Sequence, residues 1–326
     1  MSENQHQPIC PKCGYDQSGT IATWESQCPI EGICPECGLE FDWADVFDPS
    51  RVHLSWYVEH AEEKRGMIRR SPMTYWFLLL PHRFWKRVAV TSPIYGARLW
   101  SYVAGVIISV YLVTTLLNIA TRAYSNSRWN QLYASFQTKN PGNPMQGKQY
   151  TVDMGTMRYW LGIIGDSILQ PIRSRDTATQ IALLIGGMAL LWAVVIVAVP
   201  TTRRIAKVRL AHVNRAVAWS CLVIACLFCM VSVSESIASW FSISGIDIDP
   251  NWPGLFSAIQ MRFTQAEAYS RYVITGVFLA SFIWIQWFWI AAIVRGWQIR
   301  SILLPILGFI ASLLAGYTAF MYLSVY

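Results

Sequence analysis

Pro200-Thr201-Thr202-Arg203-Arg204-Ile205-Ala206-Lys207-Val208-Arg209-Leu210-Ala211-His212-Val213-Asn214-Arg215 is the stretch from which this chain is read. Its charged side chains are all cationic, and it separates two apolar runs at 181–199 and 216–234. Each run is close to the roughly 20 residues that a helix needs to cross a hydrocarbon core about 30 Å thick. Short cationic loops stay on the cytoplasmic side of a membrane. The two runs are therefore expected to form a helical hairpin dipping in from the cytoplasm.

Counting outward predicts an all-α multi-pass membrane bundle of about five transmembrane helices, near 99–120, 181–199, 216–234, 272–294 and 302–324. The short turn Arg295-Gly296-Trp297-Gln298-Ile299-Arg300 is cationic and belongs inside by the same rule. Thr121–Gln180 is long and polar, with Asn140-Pro141-Gly142-Asn143-Pro144 inside it, and long loops follow the charge rule poorly. It is placed outside. So is Glu235–Arg271, which carries Glu235, Asp247, Asp249 and Glu267 against Arg262 and Arg271 and turns at Asp249-Pro250-Asn251-Trp252-Pro253-Gly254. The N-terminus then lies inside and the C-terminus outside.

The composition agrees. With 54% hydrophobic and 14% charged residues and a mean hydropathy of +0.32, the chain is too apolar for an ordinary soluble protein. Its net charge of +7 is unevenly spread. Up to Asp48 the only cation is Lys12, among carboxylates such as Glu25, Glu31, Glu36, Glu40, Asp42 and Asp45. Between Arg51 and Arg98 the balance reverses. Topology thus accounts for the basic pI, and nucleic-acid binding is not expected. The first ~70 residues hold no apolar segment of signal-peptide type, so residues 1–48 are expected in the cytoplasm, where thiols stay reduced.

Those residues contain Cys10-Pro11-Lys12-Cys13-Gly14 and Cys34-Pro35-Glu36-Cys37-Gly38, two copies of one knuckle. A tetrahedral zinc site takes four soft thiolates, and each knuckle presents two, so Cys10, Cys13, Cys34 and Cys37 are the candidate metal ligands and structural Zn²⁺ the expected cofactor. The glycine after each second cysteine allows a left-handed turn. Ile21-Ala22-Thr23-Trp24 has strand-like character and would help form a short hairpin between the knuckles. Four Cys ligands leave no open position for catalysis, and the metal is read as replacing a core that so small a segment cannot build. Cys28 fits neither knuckle and is read as a buried or free thiol.

Residues 49–98 form a basic, partly amphipathic juxtamembrane segment between this ribbon and the transmembrane domain, 99–326. Leu54–Arg65 is expected to be a short helix ending near Gly66. Pro72–Pro81, followed by Phe84, Trp85, Lys86 and Arg87, is expected to lie in the headgroup region. Within the spans, ionisable groups are nearly absent, Glu235 coming closest, which argues against ion-coupled transport. Asn118 and Gln286 are read as interhelical hydrogen-bonding residues. Trp284, Trp287, Phe288 and Trp289 are read as interface anchors. Gly308, Ser312 and Gly316 recur every fourth residue, a pattern that lets helices approach closely, within the bundle or between copies of the chain. No Ser/His/Asp set, carboxylate pair or phosphate loop is present in the sequence, and no catalytic residue is assigned.

The knuckles, with Tyr15-Asp16-Gln17-Ser18-Gly19 following the first, resemble the N-terminal zinc ribbon of a group of planctomycete-type bacterial membrane proteins. That resemblance implies a bacterial inner membrane. Leu80-Pro81-His82-Arg83-Phe84-Trp85-Lys86-Arg87-Val88 ahead of five spans is similar in layout to the Yip1 family, which implies a part in membrane organisation. The leading expectation is a non-enzymatic membrane scaffold or adaptor that uses the ribbon for protein contacts, with the lipid bilayer and an unidentified protein as partners. A permease-like component for an uncharged or lipidic solute and a membrane-bound metal or redox regulator are the alternatives.

Overall fold

Two three-residue strands embrace the second knuckle: β1 (Glu31–Ile33) and β2 (Glu40–Asp42) pair antiparallel with Gly32 opposite Phe41. The computed structural model describes residues 8–25, 27–139, 155–173, 177–198, 207–244, 255–299 and 301–325. Several expected turns, at 140–144, 200–206 and 249–254, lie outside the described residues. The cysteine segment has its own small core of Cys10, Cys34, Leu39, Phe41 and Trp43, closed by Val90 from the following segment. Trp24 meets Trp43 edge-on at 4.8 Å. Ile21–Trp24 is not a strand. Asp16 accepts bonds from the Ser18 backbone N–H (2.9 Å) and hydroxyl (2.6 Å), and the helical turn α1 (Ser18–Ile21) starts there. Local capping overrides the β preference of Ile, Thr and Trp.

After α2 (Trp43–Phe47), started by the Asp42 carboxylate on the Ala44 N–H, the chain does not form the helix expected at Leu54–Arg65. It makes 3₁₀ turns at Pro49–Val52 and Val58–His60, and α3 (Lys64–Leu78) then runs through both Gly66 and Pro72. The reason is tertiary. Glu59 and His60 are buried with committed side chains, so the backbone wraps around them instead of coiling. Next comes α4 (Pro81–Arg87), with proline at its start, where the missing N–H costs nothing. Phe84, Trp85, Val88 and Val90 are buried, so much of the expected headgroup segment is interior, while Met73, Trp76 and Leu79 stay exposed.

Among the described residues six long helices follow: α5 (Gly96–Lys139), α6 (Met157–Arg173), α7 (Thr177–Ala198), α8 (Leu210–Ser244), α9 (Leu255–Ala291) and α10 (Leu303–Val325). The spans expected from sequence coincide largely with α5, α7, α8, α9 and α10: the second overlaps α7 over 181–198, the fourth runs on past α9 into a π-helical turn at Ala292–Gly296, and the fifth begins one residue before α10. Among the described residues, three stretches are long and apolar enough to cross a membrane: Gly96–Gln131, Leu210–Trp240 and Tyr272–Gly296. Ala182–Ala198 and Leu303–Thr318 are apolar but shorter. Where a polar loop was expected after 120, α5 continues to Lys139, because no glycine or proline interrupts it before Pro141.

The chain divides into two compact units. In the unit formed by 106–183 and 224–281, the Asn126 amide donates to the Tyr159 hydroxyl at 3.0 Å and Ser236 donates to Asn118 at 3.4 Å. The other unit comprises 1–105, 184–223 and 282–326, and its interior is aromatic. Phe288 and Trp289 are fully buried rather than interfacial, packed on Trp85 and Trp192, and Trp287 stacks on His82. The linker helix α4 supplies the rings that cover them, which a reading of α9 alone does not anticipate. The small-residue face of α10 receives side chains of its own chain. A Cβ on Gly308 would lie 2.1 Å from the Trp192 ring, and one on Gly316 would lie 2.3 Å from Met188 Cε. Trp192 Nε1 donates to Gln286 Oε1 (3.0 Å) and the Gln286 amide donates to Ser312 (2.6 Å), linking α7, α9 and α10.

Candidate metal centre and the polar cluster beside it

The two knuckles fold alike because they bond alike. Cys10 N–H donates to Tyr15 O and Gly14 N–H to Cys10 O; Cys34 N–H donates to Leu39 O and Gly38 N–H to Cys34 O. Closing these loops places Gly14 at φ +79° and Gly38 at φ +65°, conformations that a side chain resists. The result brings the sulfurs of Cys10, Cys13, Cys34 and Cys37 within 4.8 Å of one another. Cys10 and Cys37 Sγ are 3.6 Å apart, as are Cys13 and Cys34 Sγ. A tetrahedral ion with bonds of about 2.3 Å spaces its sulfurs by about 3.8 Å. The four thiols can therefore hold one metal ion. Burial pushes the Cys10 thiol well up and raises Cys37 to about 11. At Cys34 burial is outweighed by the backbone N–H groups of Cys37 and Glu36 and by neighbouring thiols, and the value falls. Cys28 stands apart, exposed and bonded to the Pro29 carbonyl.

A segment some 200 residues away grips both knuckles. The Arg209 N–H donates to Lys12 O at 2.9 Å, and His212 Nε2 lies 2.9 Å from Pro11 O. Lys207 Nζ bonds the Glu36 carbonyl and lies 3.1 Å from the Glu36 carboxylate. One knuckle is thus held by Arg209 and His212 and the other by Lys207.

One turn further along α8, Arg215 meets Glu59. Nε and Oε2 are 2.8 Å apart, Nη2 reaches Oε1 at 3.1 Å, and neither side chain is exposed by more than 1%. The Nε contact is an ion pair whose N–H is poorly aligned, and Nη2 also bonds the Pro93 carbonyl. Glu59 accepts further bonds from Tyr57 Oη (2.8 Å) and Tyr95 N–H (2.7 Å), and Trp219 Nε1 donates to Tyr57 Oη at 2.9 Å. Desolvation holds the Tyr57 phenol well above its usual value, so it remains a donor. His60 accepts from Leu54 N–H at Nδ1 (2.8 Å) and faces Pro93 O through Nε2 (3.2 Å). Burial depresses it to about 4, so the ring is neutral.

No protein-family model, curated protein or solved structure matches the chain.

The structure therefore assembles the four sequence-assigned ligands and adds Lys207, Arg209, His212 and Arg215 from the expected cationic turn, with Glu59 and His60 from the segment expected as a short helix. A signal was present. His212, Arg215, Ala216, Trp219 and Leu222 recur at helical spacing, and all are buried, so the two polar members share the face of the apolar ones. A glutamate within 54–65, beside Glu62 and Glu63, carried no comparable mark.

Proposed function

We propose that this chain is a multi-pass integral membrane protein of five crossing helices. Its N-terminal zinc ribbon is cytoplasmic, and it acts as a non-enzymatic scaffold or adaptor. The observation that carries this is the grip of residues 207–212 on the carbonyls of Pro11, Lys12 and Glu36, which fastens the thiolate centre to the start of a helix apolar enough to span. Four thiolates at tetrahedral spacing favour zinc over harder cations, and zinc here supplies folding energy. Ala182–Ala198 and Leu303–Thr318 sit in helices of 22 and 23 residues, close to the roughly 20 residues of a crossing, which supports the five-span count.

A ribbon held in this way presents its outward face, with Ile30, Glu31, Ile33 and Glu40 exposed, at a fixed place beside the membrane. That is what a docking platform requires. The metal-responsive reading draws on the same grip, since losing the ion would loosen the contacts made by the knuckles.

Zinc content, sidedness and partner capture together test the proposal. Full-length protein should carry one zinc ion, and Cys37→Ser should lose it while still fractionating with membranes. Crosslinking in intact cells should recover the same partner from wild type and from Cys28→Ser but not from Cys37→Ser. An unchanged crosslinking pattern in Cys37→Ser would remove the ribbon from the adaptor role. Labelling of Lys207 from outside sealed cells would reverse the orientation.

A further inference from the structure

The ribbon and the starts of two long helices enclose a cavity of about 390 Å³. Its walls come from Ile9, Phe41 and Val46 on the ribbon side, Ser92–Gly96 in the linker, and Arg209, Ala211 and Asn214 at the start of α8. The volume lies within the range of small-ligand pockets, roughly 300–1,000 Å³. Every lining residue belongs to one compact unit.

Positive and donor groups outnumber the lining carboxylate, Asp45. Gly96 opens α5 and Ala211 lies in the first turn of α8, so two helices of 44 and 35 residues begin at the cavity wall. The first N–H groups of a helix have no partner within it, and the positive end of its dipole lies there. Arg209 adds a guanidinium from the same wall. Trp100 Nε1 donates to Asn214 Oδ1 at 3.3 Å, which leaves the Asn214 amide N–H₂ as a donor. Arg215 also lines the cavity, but its charge is met by Glu59. Asp45 is the lining carboxylate, and its Oδ1 lies 3.7 Å from Arg51 Nε.

Ser92 is the independent observation. It lines the cavity, it is 3% exposed, and its hydroxyl is buried with no hydrogen-bond partner among the described residues. A buried hydroxyl without a partner is costly and implies an acceptor to satisfy it. We infer that this cavity binds a phosphate-type anion, held by Ser92, Arg209 and the first N–H groups of α5 and α8. Leu99, Trp100, Phe41 and Val46 supply an apolar wall beside it, so the anion is carried either by a lipid headgroup or by a small soluble phosphate. The site stands on the geometry of one unit and does not depend on the adaptor reading.

Full-length protein in phosphatidylcholine nanodiscs is titrated calorimetrically with inorganic phosphate and with short-chain phosphatidic acid. At least one probe should bind. Phosphatidic acid alone identifies a headgroup site, and phosphate alone identifies a soluble anion. Arg209→Gln and Ser92→Ala should each weaken binding roughly ten-fold, as loss of a bond to a charged acceptor does. Asp45→Asn should tighten it, because the opposing carboxylate is gone. Zinc content and melting temperature are followed in each variant. If Arg209→Gln loses metal, Ser92→Ala and Asp45→Asn decide. Absence of binding by both probes overturns the site, as does binding that neither Ser92→Ala nor Asp45→Asn changes.

Discussion

Arg215 and Glu59 lie 156 residues apart in sequence and form a two-pronged ion pair with almost no exposure to solvent. Such a pair adds little net stability over apolar replacements, because desolvating both charges offsets their attraction. Its value shows when one member is missing. Arg215→Met should destabilise the protein by about 3–5 kcal/mol, leaving Glu59 buried and uncompensated. The double variant Glu59→Leu/Arg215→Met should recover much of that loss. Thermal unfolding in detergent measures both, and strictly additive losses would contradict the coupling.

The thiolate centre should behave as one cooperative ligand set. Substituting serine for Cys10, Cys13, Cys34 or Cys37 should each remove the bound ion, whereas Cys28→Ser should leave one ion per chain by elemental analysis. Chelation should also increase proteolysis near residues 207–212, since Arg209 and His212 hold the first knuckle by its backbone. Unchanged cleavage after metal removal would separate the knuckles from α8.

His60 predicts an acid sensitivity. Its folded value of about 4 lies below the unfolded value near 6.5, so between those limits the unfolded chain binds more protons. Stability should therefore fall as pH drops from about 6.5 to about 4, by at most roughly 3 kcal/mol from this residue. Protonation also places an N–H at Nδ1, where Leu54 N–H already donates. His60→Gln should flatten the profile measured by denaturation at stepped pH, and a profile of unaltered steepness would assign the sensitivity elsewhere.

Gly308 offers a packing test. Its missing side chain admits the Trp192 ring, so Gly308→Ala should cost about 1–3 kcal/mol through overpacking. At Gly276 an added Cβ would meet nothing within 4 Å, so Gly276→Ala is the control and should be neutral or slightly stabilising. Equal melting temperatures for the two variants would contradict the α7–α10 contact.

The four-cysteine cluster was legible because its chemistry is written in sequential pairs: two short loops, each with its own glycine, bring four sulfurs within 4.8 Å of one another. Long apolar helices were legible from hydropathy. The interior of the larger unit was not. Phe84 and Trp85 read as interfacial because aromatic residues beside Lys86 and Arg87 have that pattern, and only their contacts with Phe288 and Trp297 show them to be core. Glu59 was not singled out because its partner lies far along the sequence. Arg215 was assigned to a cationic loop because hydropathy weighs a charge without asking whether another cancels it.

His212 and Pro11, joined across the ribbon, are 201 residues apart in sequence. At a synthesis rate of about 5–20 residues per second, the histidine is made roughly 10–40 seconds after the proline. Once Cys37 has been made, the knuckles can load an ion while the carbonyls of Pro11, Lys12 and Glu36 still await their later partners. The nascent ribbon is therefore open to transient companions on a face that the finished protein closes, and its maturation is timed by translation.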